Sequence, residues 1–114
     1  MADFETFEKI VLSFPEVTVE PHFEKISFRV RQKIIATYDE TNNRLTVKLS
    51  QRDQDQYASL SNAIYPVDNK WGQQGWTFIE LNEVTPPHLT AVLKRAYCTV
   101  APRKLAQQIE SNGT

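Results

Sequence analysis

Cysteine is nearly missing from this sequence: Cys98 is the only one in 114 residues. One thiol cannot form an intrachain disulfide, so the stapled frame of small secreted domains is excluded and a reducing compartment is expected. Glycine is scarce too, with three residues in all. Two of them fall in Gly72-Gln73-Gln74-Gly75, which lacks both the lysine and the spacing of a phosphate-binding loop. The two histidines, His22 and His88, are far apart, and Cys98 has no partner at metal-ligand spacing, so neither a metal nor a cofactor is expected. No apolar run approaches the ~18 residues of a membrane span. The start, Met1-Ala2-Asp3-Phe4-Glu5, lacks the basic-then-apolar pattern of a secretion signal. These absences together point to the cytoplasm. No sign of charge dominates: 13 Lys and Arg stand against 14 Asp and Glu, a net of -1, which argues against a nucleic-acid binder that is basic throughout.

What is present is ordinary for a globular domain, with 40% hydrophobic and 24% charged residues. The length fits one domain over residues 1–110, followed by a polar tail at 111–114 that is expected to fray. Such a chain buries roughly two-thirds of its unfolded surface, enough for one core.

Periodicity places the elements. Phe4, Phe7, Ile10, Val11 and Phe14 recur at helical spacing behind Asp3, a good cap, and Pro15 ends the helix. Residues 15–21 read as a connection. Ile26, Phe28 and Val30 then alternate with Lys25, Ser27, Arg29 and Arg31 in the two-residue period of a strand. Strands over 34–38 and 44–49 follow, separated by short polar loops, as in an antiparallel meander. A short helix starts after Ser50, with Tyr57, Leu60 and Ile64 as its apolar side, and residues 62–70 read as a loop. Trp76 to Leu81 is a fourth strand. Pro86 and Pro87 open a long helix with a stripe of Leu89, Val92, Leu93, Ala96, Tyr97 and Val100. Pro102 interrupts it before one more helical piece over 103–110.

The order α-β-β-β-α-β-α predicts an α+β fold. About four antiparallel strands would carry the first and last helices side by side on one face, leaving the other face open. The expected core includes Phe7, Ile10, Phe28, Val30, Leu45, Val47, Ile79, Leu81, Leu93 and Tyr97.

Three groups of residues carry a family resemblance. The first is Phe14-Pro15-Glu16 with Pro21-His22-Phe23 and Ile26-Ser27-Phe28-Arg29-Val30. The second is Tyr65-Pro66, Lys70, Gly75-Trp76-Thr77 and Leu81. The third runs from Leu89 through Tyr97 to Val100-Ala101-Pro102-Arg103-Lys104-Leu105. Their order and spacing resemble the MmcQ/YjbR family over nearly the whole chain. That resemblance implies a fold similar to the frataxin/CyaY type and a DNA-binding role inferred from a "double wing" shape in bacterial proteins. It carries no active site. The iron chemistry of frataxins is not implied either: Asp3, Glu5 and Glu8 are few, and Lys9 sits among them.

The charge map agrees with a polyanion partner. Residues 25–52 hold seven basic side chains (Lys25, Arg29, Arg31, Lys33, Arg44, Lys48 and Arg52) against Asp39 and Glu40, a net of +5 in a chain of -1. Alternation puts Arg29 with Arg31, and Arg44 with Lys48, on the open side of the sheet. Trp76 and Phe78 share it, because Thr77, Ile79 and Leu81 point to the helices, and Lys70 extends the set. Aromatic rings among cations suit base stacking with phosphate contact. The plain alternative is a solvated face with cross-strand charge pairs. A second cluster, Lys94, Arg95, Arg103 and Lys104, is explained by the favourable field at a helix C-terminus.

No catalytic constellation is present. Glu20, His22 and Glu24 are near one another in sequence only, which is too little for acid–base work, and Cys98 reads as a small hydrophobe. A non-enzymatic module is expected, binding DNA or else a protein or small ligand. Within Trp71-Gly72-Gln73-Gln74-Gly75-Trp76, one glycine should adopt positive φ. One tryptophan should brace the segment against the domain; the alternative is that both line a binding groove.

Overall fold

The structure is a computed structural model that describes residues 2–112. Helix α1 spans Phe4–Leu12 and is followed by strands β1 (Val17–His22), β2 (Lys25–Val30), β3 (Lys33–Asp39) and β4 (Arg44–Lys48). Helix α2 (Gln51–Leu60), strand β5 (Ile64–Pro66), the single turn α3 (Lys70–Gln73) and strand β6 (Trp76–Glu80) come next. Helices α4 (Pro86–Val100) and α5 (Arg103–Asn112) complete the chain. The six strands form one antiparallel sheet in the order β1-β2-β3-β4-β6-β5.

The α+β architecture is the expected one, with six strands in place of about four. The two extra strands are the sheet's edges, and each carries a proline, Pro21 in β1 and Pro66 in β5. Proline cannot donate to a ladder but is tolerated where one side of the strand is unpaired. The proline-bracketed stretch 15–21 therefore hides an edge strand. With three residues, β5 is too short to show a period.

Helix caps follow the sequence. Asp3 accepts from the Thr6 amide at 2.9 Å and the Thr6 hydroxyl at 2.7 Å. Ser50 accepts from the Asp53 amide, and Thr85 from that of His88. Nine of the ten expected core residues are fully buried, and Ile10 is partly so. Each large apolar side chain so removed from water contributes roughly 1.5–3 kcal/mol. Phe7 meets Phe28 edge-on with centroids 4.9 Å apart, joining α1 to β2. Tyr97 of α4 is buried because its hydroxyl donates to the Pro15 carbonyl at 2.7 Å; a buried hydroxyl without a partner would be costly.

Two local departures from simple alternation affect the open face. Phe28 pairs with Ala36 but Arg29 with Ile34, so Ile35 is an extra residue in β3. This bulge buries Ile35 beside Ala36 and turns Ile34 to the open side. In α2 the buried side chains are Asp53 and Gln54, whereas Leu60 is exposed, Tyr57 is half-buried and Ile64 belongs to β5. Helix α5 continues through Asn112, two residues into the segment expected to be a polar tail; residues 113 and 114 lie outside the described region. Among the described residues, no helix is long and apolar enough to cross a membrane.

Candidate functional site on the open sheet face

The helices leave one side of the sheet uncovered. Registered pairing sets its pattern: Ser27 lies opposite Thr37, Thr37 opposite Thr46, and Thr46 opposite Phe78. One row away Lys48 pairs with Trp76, and on the other side Arg44 pairs with Glu80. An open cavity of about 520 Å³ lies over this face, with Thr37, Thr46, Ile34 and Phe78 in its lining. Trp76 and Trp71 line one side, and His22 and Lys25 also border it. A second cavity of about 540 Å³ shares His22, Ile34 and Trp76 with the first and adds Arg29, Lys33 and Lys48. Among the described residues, no carboxylate lines either one.

The segment that presents Trp71 is held by close backbone contacts at its two glycines and by a buried glutamine. Gly75 has φ +104°, and a Cβ there would stand 1.9 Å from the Leu49 carbonyl oxygen. Gly72 has an ordinary φ, yet its Cβ would stand 1.8 Å from the Val67 carbonyl oxygen. Backbone pairing continues from Leu49 N to Gly75 O at 2.9 Å and from Val67 N to Trp76 O at 3.0 Å. The Gln54 side chain is buried against this loop, its Nε2 within 3.0 Å of Gly72 O, 3.2 Å of Trp76 O and 3.1 Å of Thr77 Oγ1. Trp71 itself remains 50% exposed. Both tryptophans line the cavity, as the groove alternative expects, and Trp71 is too exposed to be the brace, while Trp76 is half-buried.

The expected basic residues divide. Lys25, Arg29, Lys33 and Lys48 line the two cavities. Arg29 is oriented by Ser27, whose Oγ accepts from its Nε at 2.9 Å, and its Nη2 is 3.5 Å from His22 Nδ1. Lys48 donates to the Gln74 carbonyl, and its Nζ stands 5.3 Å from the Trp76 ring centre. Arg31 is not on the face. It occupies the β2–β3 turn at φ 51° and makes two hydrogen bonds, 2.7 and 3.1 Å, to the Glu16 carboxylate. That guanidinium holds the Glu16 carboxyl below the usual range. Arg44 is on the face but partly neutralised. It lies 3.8 Å from Glu80 and 4.0 Å over the Phe78 ring, and Tyr65 donates to the same carboxylate. Burial, then this bond to Glu80, pushes the Tyr65 phenol up.

Arg52 is exposed on α2 and lines neither cavity. Lys70 lies on α3, where it borders a separate groove that includes Asp55 and Asp68, with its Nζ 5.7 Å from the Trp71 ring centre. In the second basic cluster, Arg95 is 3.1 Å from the buried Asp53 and 3.8 Å from Glu110. Arg103 and Lys104 open α5 rather than close α4, so a C-terminal helix field does not account for them.

Sequence reasoning missed Gln54 and gave His22, Thr37 and Thr46 no place in the site, while Trp71 entered it only through the groove alternative. The signal for Gln54 was available: α2, QRDQDQYASL, carries almost no apolar stripe, and a helix of that kind packs through polar contacts or not at all. Among the described residues, no group of three His, Cys, Asp or Glu side chains could hold a metal ion. Cys98 sits partly buried between α4 and α5, its Sγ 3.8 Å from the Ala106 carbonyl, and burial pushes its thiol up.

Comparison with known proteins places this architecture. No curated protein matches the chain in sequence. The crystal structure of Deinococcus radiodurans protein DR2400, with a DUF419 domain, is similar in fold, with a TM-score of 0.75 at 18% identity over 96% of this chain and 89% of that one. The family model described as YjbR matches residues 12–99, which run from the end of α1 almost to the end of α4 and contain all six strands and both cavities' aromatic residues. The chain belongs to the YjbR family.

Proposed function

We propose that this protein is a non-enzymatic binding module whose open sheet face takes DNA. One observation carries the reading. Two adjoining cavities bring together the rings of Trp71, Trp76 and Phe78 and the cations Lys25, Arg29, Lys33 and Lys48, with no carboxylate among the described residues of either lining. Base–aromatic stacking and phosphate contact are the two interactions such a surface supplies. The set is smaller than the charge map suggested, because Arg31 and Arg44 have internal partners and Arg52 is elsewhere.

A salt titration of labelled DNA tests it. With about four phosphate contacts, log affinity falls against log salt with a slope of roughly -3.6 on duplex and roughly -2.8 on a single strand. Non-specific affinity lies around 10⁻⁴–10⁻⁶ M. Lys33→Ala combined with Lys48→Ala reduces the slope. Absence of binding at low salt, or binding indifferent to salt and to both substitutions, rules the reading out.

A protein partner is the second reading, favoured by the β1–β2 hairpin. Phe23 is 95% exposed at φ 59°, an uncommon conformation for a bulky residue, and Val19 and Ile26 are exposed nearby. An exposed aromatic on a strained turn is the kind of anchor a protein interface uses.

A further inference from the structure

We infer that the cavity lined by Trp71, Trp76 and Phe78 seats an unpaired base of single-stranded DNA, with the strand's phosphates in the adjoining cationic cavity. The inference rests on the DNA reading above and narrows it.

The chemistry of the lining makes the distinction. Trp71 and Trp76 supply ring surface, and Phe78, with Arg44 over one face of its ring, completes the lining. In a duplex the faces of the bases are covered by their neighbours, and a protein reads base edges through the grooves. Rings that line a cavity on the sheet face stack only on bases that have left the helix. Lys48 and Trp76 are cross-strand partners, so cation and ring stand side by side, as base and phosphate do within one nucleotide. Arg29 and Lys33 extend the cationic side from β2 and β3.

The floor fits a base without selecting one. Thr37 and Thr46 face each other across β3 and β4, and a hydroxyl both donates and accepts. Edges of any base can meet such groups, so binding is sequence-tolerant. The seat is also preorganised. Gly72, Gly75 and the buried Gln54 fix the loop that holds the half-exposed Trp71, which reduces the ordering cost of closing on a ligand.

The test compares three probes by fluorescence anisotropy and by quenching of intrinsic tryptophan emission. They are a labelled oligo-dT strand, a hairpin duplex of the same charge, and free thymidine monophosphate as a competitor. The expected result is binding of the strand at least about tenfold tighter than of the duplex, with tryptophan quenching. Trp71→Ala should lower affinity for the strand by about tenfold, the loss expected of one base–aromatic stack, and Trp71→Phe should retain most of it. Equal thermal melts for the variants guard against unfolding. Tighter binding of the duplex, or binding indifferent to Trp71→Ala, overturns the base seat and leaves the DNA reading intact. No binding of either DNA overturns both. Competition by thymidine monophosphate at concentrations near those of the strand overturns the strand as occupant and assigns the seat to a free nucleotide.

Discussion

The side-chain amide of Gln54 donates to the main-chain carbonyl of Gly72 at 3.0 Å, both groups being buried. The same nitrogen also reaches Trp76 O and Thr77 Oγ1, so two hydrogens serve three acceptors. Its oxygen accepts from Gln51. One side chain thus joins α2 to both ends of the loop that carries the tryptophans. Gln54→Ala removes these buried contacts, although Gly72 O and Trp76 O keep the amides of Gly75 and Val67 as donors, and costs about 1–2 kcal/mol, measurable by urea denaturation. Trp71 should also become more mobile, read as lower emission anisotropy at temperatures where the fold is intact.

The two loop glycines are required for different reasons. Gly75→Ala meets both a left-handed backbone and the Leu49 carbonyl, and should cost at least about 2 kcal/mol. Gly72→Ala meets no φ penalty but places a methyl group into the Val67 carbonyl, which is backbone and cannot move aside cheaply. A comparable loss is expected by thermal melting. A neutral Gly72→Ala would show that the α3 turn relaxes freely.

The β2–β3 turn stores strain that one substitution relieves. Arg31 and Gln32 both have positive φ, 51° and 75°, in a two-residue connection between Val30 and Lys33. Turns of this type favour Asn and Gly. Gln32→Gly should raise stability by about 0.5–1 kcal/mol, since the left-handed conformation costs a side-chain-bearing residue about 1–2 kcal/mol and the added chain entropy offsets part of the gain. A higher urea midpoint with unchanged m checks it.

The Glu16–Arg31 pair sets a pH dependence of definite sign. The folded-state carboxyl of Glu16 titrates below its unfolded value, chiefly through the Arg31 hydrogen bond. Its contribution is therefore complete above the ordinary glutamate range and disappears as pH falls through the lower, folded value. Arg31→Ala should flatten this acid limb and leave binding of oligo-dT unchanged, because Arg31 is off the face. Urea melts from neutral to acid pH show the first effect, and anisotropy the second.

Periodicity made some of this visible beforehand. Phe28 and Val30 point to the helices, the α4 stripe from Leu89 to Tyr97 is buried, and Trp76 with Phe78 faces outward, because alternation and helical spacing are local properties. What was hidden is either irregular or distant. Arg31 continues the alternation of β2 and still lies in a turn, since no Gly or Asn marks the bend. Ile35 sits in a bulge that only the pairing of β3 with β2 defines. The partners of Arg44 and Arg31, Glu80 and Glu16, come from other parts of the chain, so counting charges along residues 25–52 could not reveal which were neutralised.

The prolines on the outermost strands have an effect at high protein concentration. Unpaired strand edges template the addition of strands from neighbouring molecules, the first step towards ordered aggregates. Here one rim carries Pro21 and the other carries Pro66 at the end of a three-residue strand. A second molecule cannot continue a regular ladder past either residue. Copies of this chain are thereby discouraged from joining rim to rim, and the broad face with its tryptophans stays available in solution instead of being consumed in stacks of like molecules.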